Sequence, residues 1–274
     1  MKAFQSVYNP RMFCVIIFYM VLFPLKIIKS QSEFLEHRKE MNLNVLLAVP
    51  QENNSVQELN SFLSQNNADL YIFPEGFLDN NVLQEAIDII KKKKKYVITG
   101  FKDLESNGQQ KALVIDNGKI VDKYTKCILT RGEKQKGKRN GEKIACVNTK
   151  FGKIGIPICY EIHFPEVARI MCLDNPVLLI NIIGSGMYHN LQFEQWTSLA
   201  KARAIENEVY VIGCSHFAGK IPLAYVFDPS GRCVLLKRDE YGGFIVKIDL
   251  GKSVEKNINY LPDRLPNLFS RLAE

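Results

Sequence analysis

From Leu43 onward the chain alternates short apolar runs with amphipathic stretches, and this alternation restricts its fold more than any other feature. Asn42–Val49, Asp69–Phe73, Tyr96–Thr99, Lys153–Ile158, Val177–Ile182 and Val209–Cys214 are too short and too continuously apolar for surface helices, and they read as buried strands. Between them, Ser55 opens a helix with Glu58 three residues on, the spacing of a capping box. Val82, Leu83, Ala86, Ile89 and Ile90 mark a second helix, whose end Lys91–Lys95 reads as solvated and complements the macrodipole. A third helix starts near Pro165, and a long one spans Gln192–Asn207. Asp116-Asn117-Gly118 and Asp228-Pro229-Ser230-Gly231 are hairpin turns, and Gly243–Ile248 closes the sheet. Arg131–Lys143 reads as an exposed loop, and the tail after Gly251 as an extended arm. Repeated strand–helix–strand units predict one α/β domain over residues 41–274, with helices on a mostly parallel sheet.

Residues 1–40 do not fit this pattern. Met12–Leu25 is an unbroken apolar run, continued by Lys26, Ile27 and Ile28, and it is short for a span of about 20 apolar residues. Lys2 and Arg11 precede it as in a signal peptide, but no small-x-small cleavage site follows. Three readings stand for this extension. It is a membrane anchor through residues 12–28, a signal peptide, or a stretch upstream of a functional start at Met41, which directly precedes the first strand.

Of the formal net charge of +7, about +3 lies in residues 1–40, which hold six Lys or Arg against three Asp or Glu. The remainder shows no basic stripe interleaved with aromatics, so nucleic acid is not an expected partner. The seven cysteines, at 14, 127, 146, 159, 172, 214 and 233, are odd in number and widely spaced, with no C-x-x-C pair. That pattern points to a reducing cytoplasm, with membrane anchoring by the N-terminal segment as the alternative. No H-E-x-x-H or clustered His and Cys is present, so neither a metal nor another cofactor is expected.

Three reactive residues stand just past strand ends: Glu75 after Leu70–Phe73, Lys126 after Lys119–Tyr124, and Cys159 after Lys153–Ile158. The carboxyl edge of an α/β sheet is where sites form, so the three can converge. Their chemistry is complementary. A carboxylate can take a thiol's proton, and a cation can stabilise both the thiolate and the oxyanion formed when sulfur attacks a carbonyl. Cys159 falls on a strand-to-helix turn with outward N–H groups, which makes the Tyr160 N–H a second oxyanion donor.

The local sequences carry more. Phe73-Pro74-Glu75, Tyr124-Thr125-Lys126 and the block from Ile158 to Glu166 resemble, in order, the signature blocks of the nitrilase or carbon–nitrogen hydrolase superfamily. Ala200–Asn207 resembles the helix that follows in that family, and the resemblance covers Leu43 to Leu250. It implies a four-layer αββα sandwich and a Glu-Lys-Cys triad at Glu75, Lys126 and Cys159. It implies hydrolysis of a small amide or nitrile, not a peptide, through a cysteine thioester. It further implies a supporting glutamate at Glu133, with Glu142 as fallback, and homodimers or larger homo-oligomers. Two other readings stay open: N-acyl transfer from the same thioester, and a non-catalytic scaffold. Glu161 is expected to satisfy backbone N–H groups of the Cys159 turn, and Glu166 to pair with Arg169. Trp196 is expected to pack its helix, and His189 and His216 to take polar surface positions, with pocket contacts as the alternative for each. Gly184–His189 departs from the family pattern, which leaves the substrate undetermined.

Overall fold

The computed structural model describes residues 42–65, 67–250 and 260–273. Expectations for residues 1–40 lie outside this range. The chain divides into two compact units, one of residues 43–248 with 252–274 and one of residues 1–42 with 249–251. The first holds almost everything described.

Among the described residues, thirteen strands form two mixed sheets. In the first, the order is β13 (Gly242–Asp249), β1 (Asn42–Val49), β2 (Leu70–Ile72), β4 (Tyr96–Asp103), β5 (Gln109–Asp116) and β6 (Lys119–Thr125), with the short β3 (Leu78–Asp79) beside β4. In the second, the order is β12 (Cys233–Arg238), β11 (Leu223–Phe227), β10 (Tyr210–Ser215), β9 (Leu178–Ile183), β8 (Gly152–Gly155) and β7 (Val147–Thr149). The inner runs β1–β2–β4 and β8–β9–β10 and the short pair β3–β4 are parallel; β4–β5–β6, β10–β11–β12 and β7–β8 are antiparallel. The expected mostly parallel sheet is therefore corrected to two mixed ones. The reason is visible at the turns. Asn117 and Gly118 both take positive φ, 48° and 83°, the hairpin geometry that Asn-Gly favours, so β5 returns as β6 without a crossover.

Helices α1 (Ser55–Gln65) and α2 (Leu83–Lys93) cover the first sheet. Leu59, Leu63, Ala86 and Ile90 bury against Leu46, Tyr71, Phe73, Val97 and Ile115, and each such large apolar side chain contributes about 1.5–3 kcal/mol. Asn54, not Ser55, caps α1: its Oδ1 accepts from the Gln57 N–H at 3.1 Å, while Glu58 reaches back to the N–H groups of Gln51 and Glu52. Helices α4 (Pro165–Cys172) and α5 (Asn190–Asn207) cover the second sheet; Met171 stands against Gly155, and α5 packs on β10. The sheets face each other, with the Cys214 thiol of β10 3.7 Å from the Ile72 carbonyl of β2. The layers are thus helix, sheet, sheet, helix.

Three local expectations change. β8 ends at Gly155 and does not run to Ile158, because Pro157 cannot donate to a ladder. The polar segment Arg131–Lys143 contains a helix, α3 (Arg131–Gln135), held by a capping box between Thr130 and Glu133. Pro266–Ala273 is a 3-10 helix where an extended arm was expected. No described helix is long and apolar enough to cross a membrane.

Candidate active site

The chain leaves β2 through Phe73 and Pro74 and turns at Glu75, which is 7% exposed. The turn fits because Gly100 of β4 lies against it. The Gly100 N–H donates to the Pro74 carbonyl at 3.2 Å, and a side chain there would overlap Pro74 and Glu75. Lys126 follows β6 directly and is 1% exposed. Its backbone is held on both sides: its N–H donates to Gln110 O at 3.0 Å, and its carbonyl accepts from the Gly141 N–H at 2.7 Å. Its Nζ lies 2.9 Å from Glu75 Oε1 and 3.0 Å from the Glu133 carboxylate. Glu133 is fixed by the α3 cap, where its Oε2 accepts from the Thr130 N–H at 2.9 Å and hydroxyl at 3.0 Å. Glu142 does not join this group; it lines a separate cleft with Lys123 and Cys146.

Cys159 starts the 3-10 turn Cys159–His163, with φ at +49°. A non-glycine residue in that region carries about 1–2 kcal/mol of strain, so the surroundings must hold it there. Asn181 of β9 does so: its Nδ2 donates to the carbonyls of Pro157 at 2.7 Å and Cys159 at 3.2 Å. Its Oδ1 accepts from Trp196 Nε1 at 3.1 Å and Tyr225 Oη at 2.8 Å. From α5, Arg203 donates to the carbonyls of Ile162 and His163. Glu161, fully buried, ties the turn to the opposite sheet. Its Oε2 accepts from the Ile158 N–H at 2.7 Å; its Oε1 accepts from the N–H groups of Cys127 at 2.7 Å and Ile128 at 3.0 Å and from Tyr124 Oη at 2.9 Å. The Tyr160 N–H lies ahead of the turn's first internal bond, from Glu161 N to Ile158 O.

Two groups are directed at the Cys159 sulfur, the Gly184 N–H and the Glu75 carboxylate. Burial, and after it the Glu75 carboxylate, push the Cys159 thiol up; the Lys126 charge and the Gly184 N–H oppose this. Burial works against the Lys126 charge as well, but the surrounding groups Glu75, Cys159 and Glu133 outweigh it and hold the ammonium above the ordinary lysine range. Burial raises Glu133, yet Lys126 and Thr130 bring it below the ordinary carboxylate range. The resting arrangement is a neutral thiol beside a lysine shared by two glutamates.

The expected site residues Glu75, Lys126, Glu133 and Cys159 thus meet, with Tyr160 in the same turn. Gly184 was not foreseen; it lies in the segment that departs from the family pattern, and only its backbone takes part. His216 lines the cavity beside Phe77, with ring centroids 6.3 Å apart, and is not a surface residue. His189 caps α5, its Nδ1 accepting from the Gln192 N–H at 3.1 Å. Trp196 packs α5 onto the Cys159 turn, edge-on to His163. The expected Glu166–Arg169 pair does not form. Arg169 instead donates to the Glu206 carbonyl at 2.7 Å, drawn to the end of α5. A cavity of about 570 Å³ opens over the site, lined by Glu75, Glu133, Gly184 and His216, among others. Among the described residues no group of three or more His, Cys, Asp or Glu is placed to hold a metal ion.

A two-sheet α/β sandwich with a buried lysine between two glutamates and a cysteine on a strained turn defines a class of cysteine-centred site. The family follows from comparison with known proteins: a family model described as carbon–nitrogen hydrolase matches residues 39–255, and the chain belongs to that family. A probable nitrilase of Schizosaccharomyces pombe is 30% identical over 168 residues, which cover 58% of this chain and 60% of that one. An omega-amidase of Saccharomyces cerevisiae is 32% identical over 139 residues, 43% of this chain and 45% of that one. The chain therefore spans roughly half the length of these relatives. In fold it is similar to a carbon–nitrogen hydrolase from Helicobacter pylori, with TM-score 0.72 and 17% identity, over 85% of this chain and 99% of that one.

Proposed function

We propose that this chain hydrolyses the carbon–nitrogen bond of small amides through a thioester on Cys159. The observation that carries the reading is the placement of Glu75: its carboxylate is 2.9 Å from Lys126 Nζ and directed at the Cys159 sulfur. Glu75, paired with Lys126, takes the thiol proton as sulfur bonds to the amide carbon. The carbonyl oxygen gains the electron pair and is stabilised by Lys126 and the Tyr160 N–H. As the carbonyl re-forms, the C–N bond breaks and Glu75 returns the proton to the leaving nitrogen, giving ammonia or an amine and a thioester. Glu75 then takes a proton from water, whose oxygen attacks the thioester carbon. The thiolate leaves, regains that proton, and the carboxylic acid departs. Glu133 shares Lys126 and keeps its ammonium aimed between the two reacting groups.

The neutral resting thiol fits this order of events, because proton removal is coupled to attack and does not precede it. All described cysteines are free thiols, which supports a reducing, cytoplasmic setting. Self-association belongs to the same reading: Ile170 of α4, Leu173 just after it, and Phe269 and Leu272 of the C-terminal 3-10 helix leave an apolar groove exposed.

The test is a panel of primary amides with ammonia release as readout, and mass measurement of the acid-quenched protein for the acyl adduct. Cys159→Ala is expected to stay folded and lose all turnover and the adduct. Near-normal turnover in that variant rules the reading out.

A further inference from the structure

The edge of the first sheet opposite the cavity gathers lysines from three separate elements. β1, β2 and β4 run parallel, so their amino ends share one edge, while Glu75 and the cavity stand at the other. Tyr96 opens β4, and Lys102, which lines the cavity, lies about 20 Å further along the strand. Lys91–Lys95 close α2 and lead straight into Tyr96. The β5–β6 turn rests on that helix end: the Asn117 N–H donates to the Lys95 carbonyl at 3.0 Å, a methyl on Gly118 would overlap the Lys91 Cβ, and Lys119 comes next. Lys150, in the turn between β7 and β8, donates its N–H to Tyr96 Oη at 3.3 Å and sets its Nζ 4.7 Å from the centre of that ring.

The helix macrodipole accounts for part of this gathering. It favours cations in the last turn of α2, but Lys119 and Lys150 arrive from other elements. Lys94 takes φ +53°, so a cation stands where an unstrained chain would place glycine. Lys91, Lys92, Lys94, Lys119 and Lys150 are exposed, and among the described residues none of them forms an ion pair. The nearby carboxylates are held by neutral donors: Asp116 by Asn117 Nδ2 at 2.6 Å, Asp69 by the Asn44 N–H at 2.8 Å, and Asp88 by Gln84 Nε2 at 3.2 Å.

The surroundings of the lysines favour lipid over nucleic acid. The rings here, Tyr71 and Tyr96, are buried under Lys95 and Lys150 and offer no face on which bases stack. Ile120 and Val121 follow Lys119 on β6, the edge strand of the sheet, and both are exposed. Apolar side chains beside a basic cluster suit a lipid interface, where they enter the boundary below the headgroups. We infer that this lysine edge docks on an anionic lipid surface, with the cavity over Cys159 turned away from it. β1 opens at the same edge, and the apolar run Met12–Leu25 precedes it in sequence. An apolar segment joined to a basic patch is the pair of signals that stable membrane attachment takes.

Co-sedimentation of the full chain with phosphatidylcholine vesicles, with and without about one-third phosphatidylserine, tests this. Wild-type protein is expected to partition more strongly onto the anionic vesicles, and raised salt to remove the difference. A variant carrying Lys91→Gln, Lys92→Gln, Lys94→Gln and Lys119→Gln should melt as wild type does. It should lose about fivefold in partitioning for each lysine removed, about 100-fold or more in all. Equal binding to neutral and anionic vesicles, or binding to neither, overturns the inference. So does a variant that keeps the wild-type preference for anionic vesicles. Tighter binding to a DNA duplex than to anionic vesicles at the same salt overturns it in favour of nucleic acid. The readout does not depend on hydrolysis, so it stands whatever the amide panel shows.

Discussion

Gly184→Ala measures how tightly the site is spaced. Gly184 follows β9 directly, and its N–H is one of the two groups directed at the Cys159 sulfur. A methyl group there would overlap Glu75 Oε2 and lie 3.3 Å from Glu75 Cδ. Carbon and oxygen need a little over 3 Å, so the carboxylate oxygen must retreat by about 1 Å. It cannot do so freely, because the other oxygen is bound to Lys126 at 2.9 Å in a buried setting. A shift of about 1 Å in a reacting group costs on the order of 100-fold in rate. We expect kcat/KM on a primary amide to fall by about that factor. Stability should fall by only about 1–2 kcal/mol, since the clash is with the far end of one side chain and not with backbone. Gly100→Ala is the contrast. Its methyl group would lie 2.6 Å from Gly76 N and overlap Pro74 O and Glu75 Cα, backbone atoms that cannot swing away. There the fold itself should lose about 3 kcal/mol or more. Steady-state ammonia release and denaturant unfolding separate the two outcomes. A folded Gly184→Ala protein with kcat/KM within about threefold of wild type would refute the spacing argument.

Glu161→Ala strands the buried N–H groups of Ile158, Cys127 and Ile128 and the Tyr124 hydroxyl; a stability loss on the order of 5 kcal/mol is expected by denaturant unfolding, and a loss under about 1 kcal/mol would contradict the bonding described. Lys126→Met leaves Glu75 and Glu133 facing each other without their cation; turnover should vanish and stability drop by about 3–5 kcal/mol, and thermal unfolding at wild-type temperature would count against a shared buried pair. His216 is pushed down by burial to about 4 from an ordinary 6.5, so the unfolded chain binds its proton first as pH falls. Its contribution is complete above pH 6.5 and is lost between there and about pH 4, at about 1.4 kcal/mol per unit; His216→Gln should flatten that part of the stability curve, and an unchanged slope would show that the ring is not buried neutral.

Much of this was readable from residue order. The buried strands, the amphipathic helices and the hairpin at Asn117-Gly118 follow from local patterns, as does the placing of Glu75, Lys126 and Cys159 at strand ends. The pairing was less readable: a continuously apolar strand looks the same whether its neighbour runs parallel or antiparallel. Helix α3 was missed because a five-residue helix in a Lys- and Gly-rich segment has no apolar stripe, and its signal lay only in Thr130 and Glu133 at capping spacing. Glu161 was expected to serve its own turn, and its reach to Cys127 and Ile128 depends on two sheets meeting face to face. Gly184 left no trace, since a glycine matters through the space it leaves open.

The Glu161 carboxylate belongs to both sheets at once, and this bears on what a damaged molecule can do. Its bonds on one side fix the residue after Lys126; on the other they fix the residue before Cys159. If the sheets part, the cation and the sulfur separate in the same event. A chain loosened by heat, truncation or error therefore does not display an activated thiol to its surroundings. Amide chemistry is a property of the closed sandwich, and a copy whose sheets part loses turnover as its thiol returns toward that of an ordinary cysteine.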